Sequence, residues 1–340
     1  MSKRSLVHLF IPGLLGPLPP DLHDHVLLQF RAPALERLLA RGRQQSRQAS
    51  HWLEQFGELF QQPPGELPAG ALGWLGEGFD PGASYWLRAD PVHLQAGSDQ
   101  LILFDASLLS LRMEEATQLV ASCNQLLRDD GLELYAPNPQ HWYLRSDQPI
   151  LLQTTPLAVV AGRPLDAYMP QGAQATHWLG LMTELQMLLH QAPLNQQRTA
   201  QGALAINSVW FWGAGAVPEQ VAGDWQKVYA NDPIARGLAR QAGIEPEQLP
   251  KDALQLPGLD RTLLLETSLA AALQSGDLER WGQEMVLLDQ RIMSPLLRDL
   301  QAGKLAELVL ETDGVRINVD RRGLRQFWRR ARPVRHYLEY

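Results

Sequence analysis

Short apolar runs that alternate with helix-period segments constrain this chain more than any other feature. The strand-like runs are LVHLFI (6–11), LILF (101–104), HWYL (141–144), SVWFW (208–212), RTLLLE (261–266), LAELVLE (305–311) and VRINV (315–319). Between them, ALERLLARGRQQ (34–45), EEATQLVASCNQLLRDDG (114–131), THWLGLMTELQMLLHQAP (176–193) and DLERWGQEMVLLDQRIMSPLLRDLQAG (277–303) read as helices. In the second of these, Ala116, Leu119, Val120 and Cys123 recur at three- and four-residue steps until Gly131 stops the helix. Pro295 predicts a bend in the last. Strands that alternate with helices pair in parallel through crossovers, so the pattern predicts an α/β fold with a doubly wound sheet. Two Pro/Gly-rich stretches, 61–82 and 154–172, bracket a strand-rich block. The expected organisation is a discontinuous α/β core domain, 1–82 and 151–340, with a smaller α+β inserted domain at 83–150.

Of the 340 residues 45% are hydrophobic, enough for a large core. Cys123 is the only cysteine, so no intramolecular disulfide or cysteine metal cage forms, and a reducing, cytoplasmic setting is expected. The start, MSKRSLVHLFIPGLLGPLPP, reads as a first buried strand rather than a signal, because His8 and the prolines interrupt its apolar run. No run approaches the roughly 20 apolar residues of a membrane span. The net charge of −7 hides an asymmetry. Residues 321–340 hold seven arginines and one acid, Glu339, which leaves 23 basic and 36 acidic side chains in the rest. An acidic body with a basic tail predicts that the tail touches nucleic acid, a partner's surface or the body itself.

The motifs for a phosphate loop, a zinc protease, a hydrolase nucleophile elbow or a CxxC pair are absent. GALGWLGEG (70–78) reads as a structural turn, and DLHDHV (21–26) as surface capping rather than a metal site. NSVWFWGAGAVP (207–218) reads as a buried strand of the central parallel kind, which Gly213 and Gly215 let leave the sheet at close quarters.

Three stretches resemble the archaeal-type cofactor-independent phosphoglycerate mutases of the alkaline phosphatase superfamily. WLRADPVHLQAGSDQLILFDASLLSLRMEEATQLVASCNQLLRDDGLELY (86–135) is similar to their inserted domain. APLNQQRTAQGALAINSVWFWGAGAVP (192–218) resembles their Asn-x-x-Arg and aromatic-Gly-x-Gly stretch. LERWGQEMVLLDQRIMSPLL (278–297) is similar to the helix after their metal loop. The resemblance implies an alkaline-phosphatase-like doubly wound sheet. Within it the chain looks closest to a bacterial subgroup labelled RPFE-type regulatory protein, commonly encoded beside the RecJ single-strand exonuclease. Arg88, His93, Arg163, Asn195 and Arg198 match stretches that line the family's substrate cleft. They are expected either to form a relic anion cleft or to serve as salt-bridged structural residues.

The superfamily's chemistry needs two divalent metals held by Asp and His. Here the first strand ends FIPGLLGPLPP without Asp-Gly, LLLETSLAAALQSGD (263–277) offers Glu266, and LVLETDGVRI (308–317) offers Glu311 and Asp313. None of the nine histidines lies between 191 and 335. The resulting expectation is a pseudoenzyme without metal or other cofactor, working as a partner of a RecJ-type exonuclease in DNA repair. The alternative is a metal-dependent phosphomutase or phosphatase, or a sensor of a small phosphorylated metabolite. In the tail, Arg321, Arg322, Arg325, Arg329 and Arg332 recur at near-helical spacing, with Leu324, Phe327 and Trp328 on another face. The tail therefore reads as an amphipathic helix packed on the body. Arg321, Arg322, Arg325, Trp328, Arg329, Arg330 and Arg332 are the candidate contacts for a partner, or for a weak or indirect contact with single-stranded DNA.

Overall fold

The computed structural model describes residues 5–18, 30–47, 51–97, 100–252 and 260–338. The stretch DLHDHV falls outside them. Two compact units are present, one formed by Met1–Pro63 with Val221–Tyr340, the other by Pro64–Gln220. The described strands are β1 (Leu6–Phe10), β2 (Arg43–Ser46), β3 (Tyr85–Ala96), β4 (Leu101–Phe104), β5 (Leu132–Tyr135), β6 (Tyr143–Ser146), β7 (Ser208–Gly215), β8 (Lys227–Tyr229), β9 (Thr262–Leu265), β10 (Glu307–Thr312) and β11 (Val315–Asp320).

The first unit is a six-stranded sheet in the order β2-β11-β10-β1-β9-β8. β10, β1, β9 and β8 are parallel, whereas β11 and β2 run antiparallel to their neighbours. Leu6 lies opposite Glu307, so the two ends of the chain share one sheet. Successive residues of a strand point to opposite faces. Val7 and Leu9 join Leu308, Leu310 and Ile317 in a core covered by the helices Pro33–Arg41, Leu278–Leu288 and Ser294–Ala302. His8 and Phe10 face the other way, where Trp225 meets His8 edge-on at 5.6 Å and Phe56 of the helix Trp52–Glu58 meets Phe10 at 5.8 Å. Cover on both faces explains why β1 reads as a nearly unbroken apolar run. The long segment 277–303 is interrupted by a π turn, Asp289–Met293, just before Pro295. That turn buries the Asp289 carboxylate against the N–H groups of Ala34 and Leu35 (3.3 and 2.7 Å), and so caps the helix Pro33–Arg41.

In the second unit β3 is the hub. It runs antiparallel to β7 along Trp86–Val92, to β6 along Tyr85–Arg88 and to β4 along His93–Ala96. The aromatic run of β7 is buried, but it is not a central parallel strand of the first sheet. Its burial comes from the helices Ala69–Glu77 and Ala175–Gln191, the latter setting Trp178 edge-on to Phe211 at 5.3 Å. An unbroken apolar run reports cover on both faces and carries no information about strand direction. Gly213 has φ +64°, and a Cβ there would overlap the backbone and side chain of Ala69. GALGWLGEG is part of that same helix rather than a turn. Gly70 lets it lie against the backbone of Leu87, and Gly73 against the ring of Tyr143. The second unit therefore extends from 64 to 220 instead of 83 to 150, because the flanking segments supply the helix and the partner strand that cover β3. Among the described residues no helix is long and apolar enough to cross a membrane.

Candidate functional site

In the first unit the amphipathic helix Pro33–Arg41 stops at Gly42, where a Cβ would overlap the side chain of Ile317, and the chain turns at once into β2. Arg41 and Arg43 thus flank a forced bend. At the same end of the sheet, where β11 runs out beside the start of β2, the Asp320 carboxylate accepts the N–H of Gly323 (2.7 Å) and caps a four-residue helix, Arg321–Leu324. The expected helix through 321–337 goes no further. Arginines three and four apart repel on a helix face, Gly323 weakens it, and Pro333 blocks it. The apolar face expected from Leu324, Phe327 and Trp328 divides accordingly. Leu324 is buried, while Phe327 and Trp328 are 78% and 67% exposed. Arg41 donates to the carbonyl of Leu324 (2.8 Å) and Arg329 to that of Gly42 (3.3 Å), which fastens the tail to the bend.

Between tail and bend lies a groove of about 660 Å³ lined by Arg41, Arg43, Arg321, Arg322 and Arg329. Among the described residues two carboxylates, Glu307 and Asp320, share the lining. A second groove of about 730 Å³ shares Arg43, Gln326 and Arg329 with the first and adds Arg332 and His336, with no acid among the described residues. Arg43, Arg321, Arg322, Arg325, Arg330 and Arg332 are exposed and form no ion pair among the described residues. Of the tail residues singled out by sequence, Arg321, Arg322, Arg329 and Arg332 line the grooves, while Arg325, Trp328 and Arg330 are exposed beyond the lining. Arg41 and Arg43 were not legible as site residues. Their only signal was a glycine between two arginines at the end of an amphipathic helix.

The carboxylates that the sequence offers after β9 and on or just after β10 are each engaged within the chain. Glu311, fully buried, meets His8 at 2.7 Å and accepts from Arg316 through both oxygens (2.9 and 3.1 Å). Burial holds His8 below its ordinary value, against the opposing pull of its hydrogen bond to Glu311 and with the charges of Arg316 and Arg47 adding to the lowering. Burial would raise Glu311, but its hydrogen bond to His8 and the charge of Arg316 hold it below the usual carboxylate range. Asp313 accepts the N–H of Gly13 (2.5 Å), and Glu266 that of Ser268 (2.8 Å). Among the described residues no group of three or more His, Cys, Asp or Glu is placed to hold a metal ion. This donor set does not fit a pair of divalent ions, because its central carboxylate is already neutralised by arginine.

The five cleft residues all lie in the second unit, each held on its own partners. Arg88 donates to Asp90 through Nε and Nη2 (3.0 and 2.5 Å), with its guanidinium 4.8 Å from the Tyr143 ring and 5.5 Å from that of Trp212. Trp212 Nε1 donates to the other Asp90 oxygen (2.7 Å). Arg198 donates to Glu115 (3.0 Å) and to the carbonyls of Leu204 and Leu109. Asn195 bridges the carbonyls of Leu189 and Ile206 (both 2.7 Å) and accepts from the N–H of Ile206 (2.8 Å). His93 Nδ1 donates to the carbonyl of Ala205 (2.8 Å), and exposed Arg163 reaches the hydroxyl of Tyr168 (3.4 Å). Arg88, Asn195 and Arg198 are at least 96% buried. The donors of Arg88, Asn195 and Arg198 are thus taken up inside the unit, while Arg163 stays exposed.

No family model matches the chain. A protein of Methanothrix thermoacetophila named 2,3-bisphosphoglycerate-independent phosphoglycerate mutase is 26% identical over 176 residues, 46% of this chain and 45% of that protein. A protein of the same name from Methanosarcina acetivorans is 24% identical over 325 residues, 83% of this chain and 78% of its own length. The chain is homologous to the cofactor-independent phosphoglycerate mutases. It matches less than half the length of the Methanothrix protein. The solved structure of the PH0037 protein from Pyrococcus horikoshii shares the fold, with a TM-score of 0.57 at 14% identity over 94% of this chain and 88% of that one. These relatives overturn the expectation that the mutase-like chain is no enzyme, since they carry the name of an enzyme. That expectation rested on missing Asp and His patterns, and a pattern missing from its usual loops does not decide what a homologous scaffold does.

Proposed function

We propose that this phosphoglycerate-mutase-like protein is a binding partner of a RecJ-type single-strand DNA exonuclease, and that it meets the nuclease complex through the arginine grooves of its first unit. The observation that carries this reading is a run of exposed, unpaired arginines fixed beside two exposed aromatic rings on an otherwise acidic chain. Opposed surface charge steers association and sets register. The choice of nuclease comes from the resemblance to the RecJ-associated subgroup. Co-elution of the two purified proteins at micromolar concentration and low salt tests it. A complex that weakens when Arg321, Arg322 and Arg329 are reversed to Glu is the expected result, and separate elution would refute it.

A second reading is favoured by the relatives' name: phosphoryl transfer on a small phosphorylated compound. A mutase and phosphatase assay with Mn²⁺, Mg²⁺ and Zn²⁺ supplied, and with a chelator as control, tests it. Turnover lost to chelator supports this reading.

A further inference from the structure

We infer that the two arginine grooves form one continuous track for single-stranded nucleic acid, with phosphates on the arginines and a base stacked on Trp328 or Phe327. The inference rests on the reading of these grooves as the contact surface, and it does not require the nuclease. Continuity comes from the shared wall: Arg43, Gln326 and Arg329 line both grooves. Along the first, five arginines face two carboxylates, and both carboxylates are turned to local partners. Asp320 caps Gly323, and Glu307 accepts from Asn318 at 3.0 Å. Along the second, Arg43, Arg329 and Arg332 share the lining with no acid among the described residues. Guanidinium groups grip phosphate oxygens through paired N–H donors.

The aromatic pair separates the ligand classes. Phe327 and Trp328 lie edge-to-face at 5.4 Å, inside the arginine run and largely exposed. A protein surface seldom leaves two adjacent large rings in water without use. Stacking on them needs an unpaired base face, which a single strand offers and a duplex hides. An acidic peptide would satisfy the arginines and leave the rings idle. Arg41 and Arg329 pin the tail through backbone carbonyls, so the track is ordered before a strand arrives.

The test is fluorescence anisotropy of a labelled oligothymidylate titrated with the full-length protein and no nuclease. Binding should weaken roughly 50-fold between 50 and 200 mM salt if about four phosphates are held. Trp328→Ala should weaken it about tenfold, and the triple reversal R321E/R322E/R329E should abolish it. Both variants change exposed groups, and an unchanged circular dichroism melt shows that they fold. A matched duplex should compete poorly. No binding at tens of micromolar, binding untouched by either variant, or displacement by polyglutamate as readily as by oligonucleotide would overturn the inference. If the oligonucleotide fails while the nuclease still co-elutes, this inference alone falls. If the nuclease does not co-elute, the proposed partner falls whatever the oligonucleotide does.

Discussion

Two sets of arginines in this molecule have opposite fates. In the second unit Arg88 and Arg198 are buried, and their donors end on Asp90, Glu115 and backbone carbonyls. In the first unit Arg43, Arg321, Arg322 and Arg332 stand in water without an ion pair among the described residues. The same side chain fixes a fold where its partners are internal, and offers a surface where they are not. Arginine content alone therefore cannot locate an anion site. The distinction lies in whether a carboxylate or carbonyl has already taken the donors.

The largest effect should come from the buried set. Arg88→Met leaves Asp90, 1% exposed, without its cation, and breaking such a pair costs about 3–5 kcal/mol. Urea unfolding should show that loss, and a loss below 1 kcal/mol would mean that Arg88 is not structural. Burial also decides which groups feel pH. His51, the N-cap of the helix Trp52–Glu58, is pushed by burial down to about 4 from an ordinary 6.5. The unfolded chain then binds a proton between those values that the folded protein refuses. Stability should thus be complete above pH 6.5 and fall as the pH drops toward 4, at roughly 1.4 kcal/mol per displaced unit. Buried His8, whose value is also lowered, acts in the same direction. His51→Asn keeps a cap and should flatten that slope. Gly213→Ala forces a left-handed residue against Ala69 and should cost on the order of 2 kcal/mol. Smallest of all, Arg321→Met or Arg322→Met should shift stability by no more than about 0.5 kcal/mol. A larger shift would place these arginines with the buried set and break the comparison.

Four strands of the first unit's sheet, β1, β9, β10 and β11, were readable in sequence because they are short and punctuated, whereas β8 was not read and the polar β2 lay inside the stretch 34–45 read as helix, which in fact stops at Arg41. Leu6–Ile11 and 305–311 do pair, as alternation with helices requires. What sequence could not supply was the assignment of β7, since Trp210, Phe211 and Trp212 look the same in a parallel centre as beside β3. The helix at Ala69–Glu77 was hidden by its glycines, which are there for close packing and not for a turn. For the site, the basic tail was visible as composition, but its conformation was not. Helical spacing of arginines suggested a helix that their mutual repulsion disfavours. Arg41 and Arg43 join the tail only through the bend at Gly42, a tertiary contact with Ile317 that no local pattern announces.

The measurement that bears most directly on the arginine grooves is size-exclusion co-elution with a RecJ-type exonuclease, run for the unmodified protein and for R321E/R322E/R329E in the same low-salt buffer. A complex that forms with the first and is lost with the second, both proteins melting alike, is the predicted result. A complex that survives the reversal would move the interface away from the grooves, and no complex with either protein would contradict the proposed partnership outright.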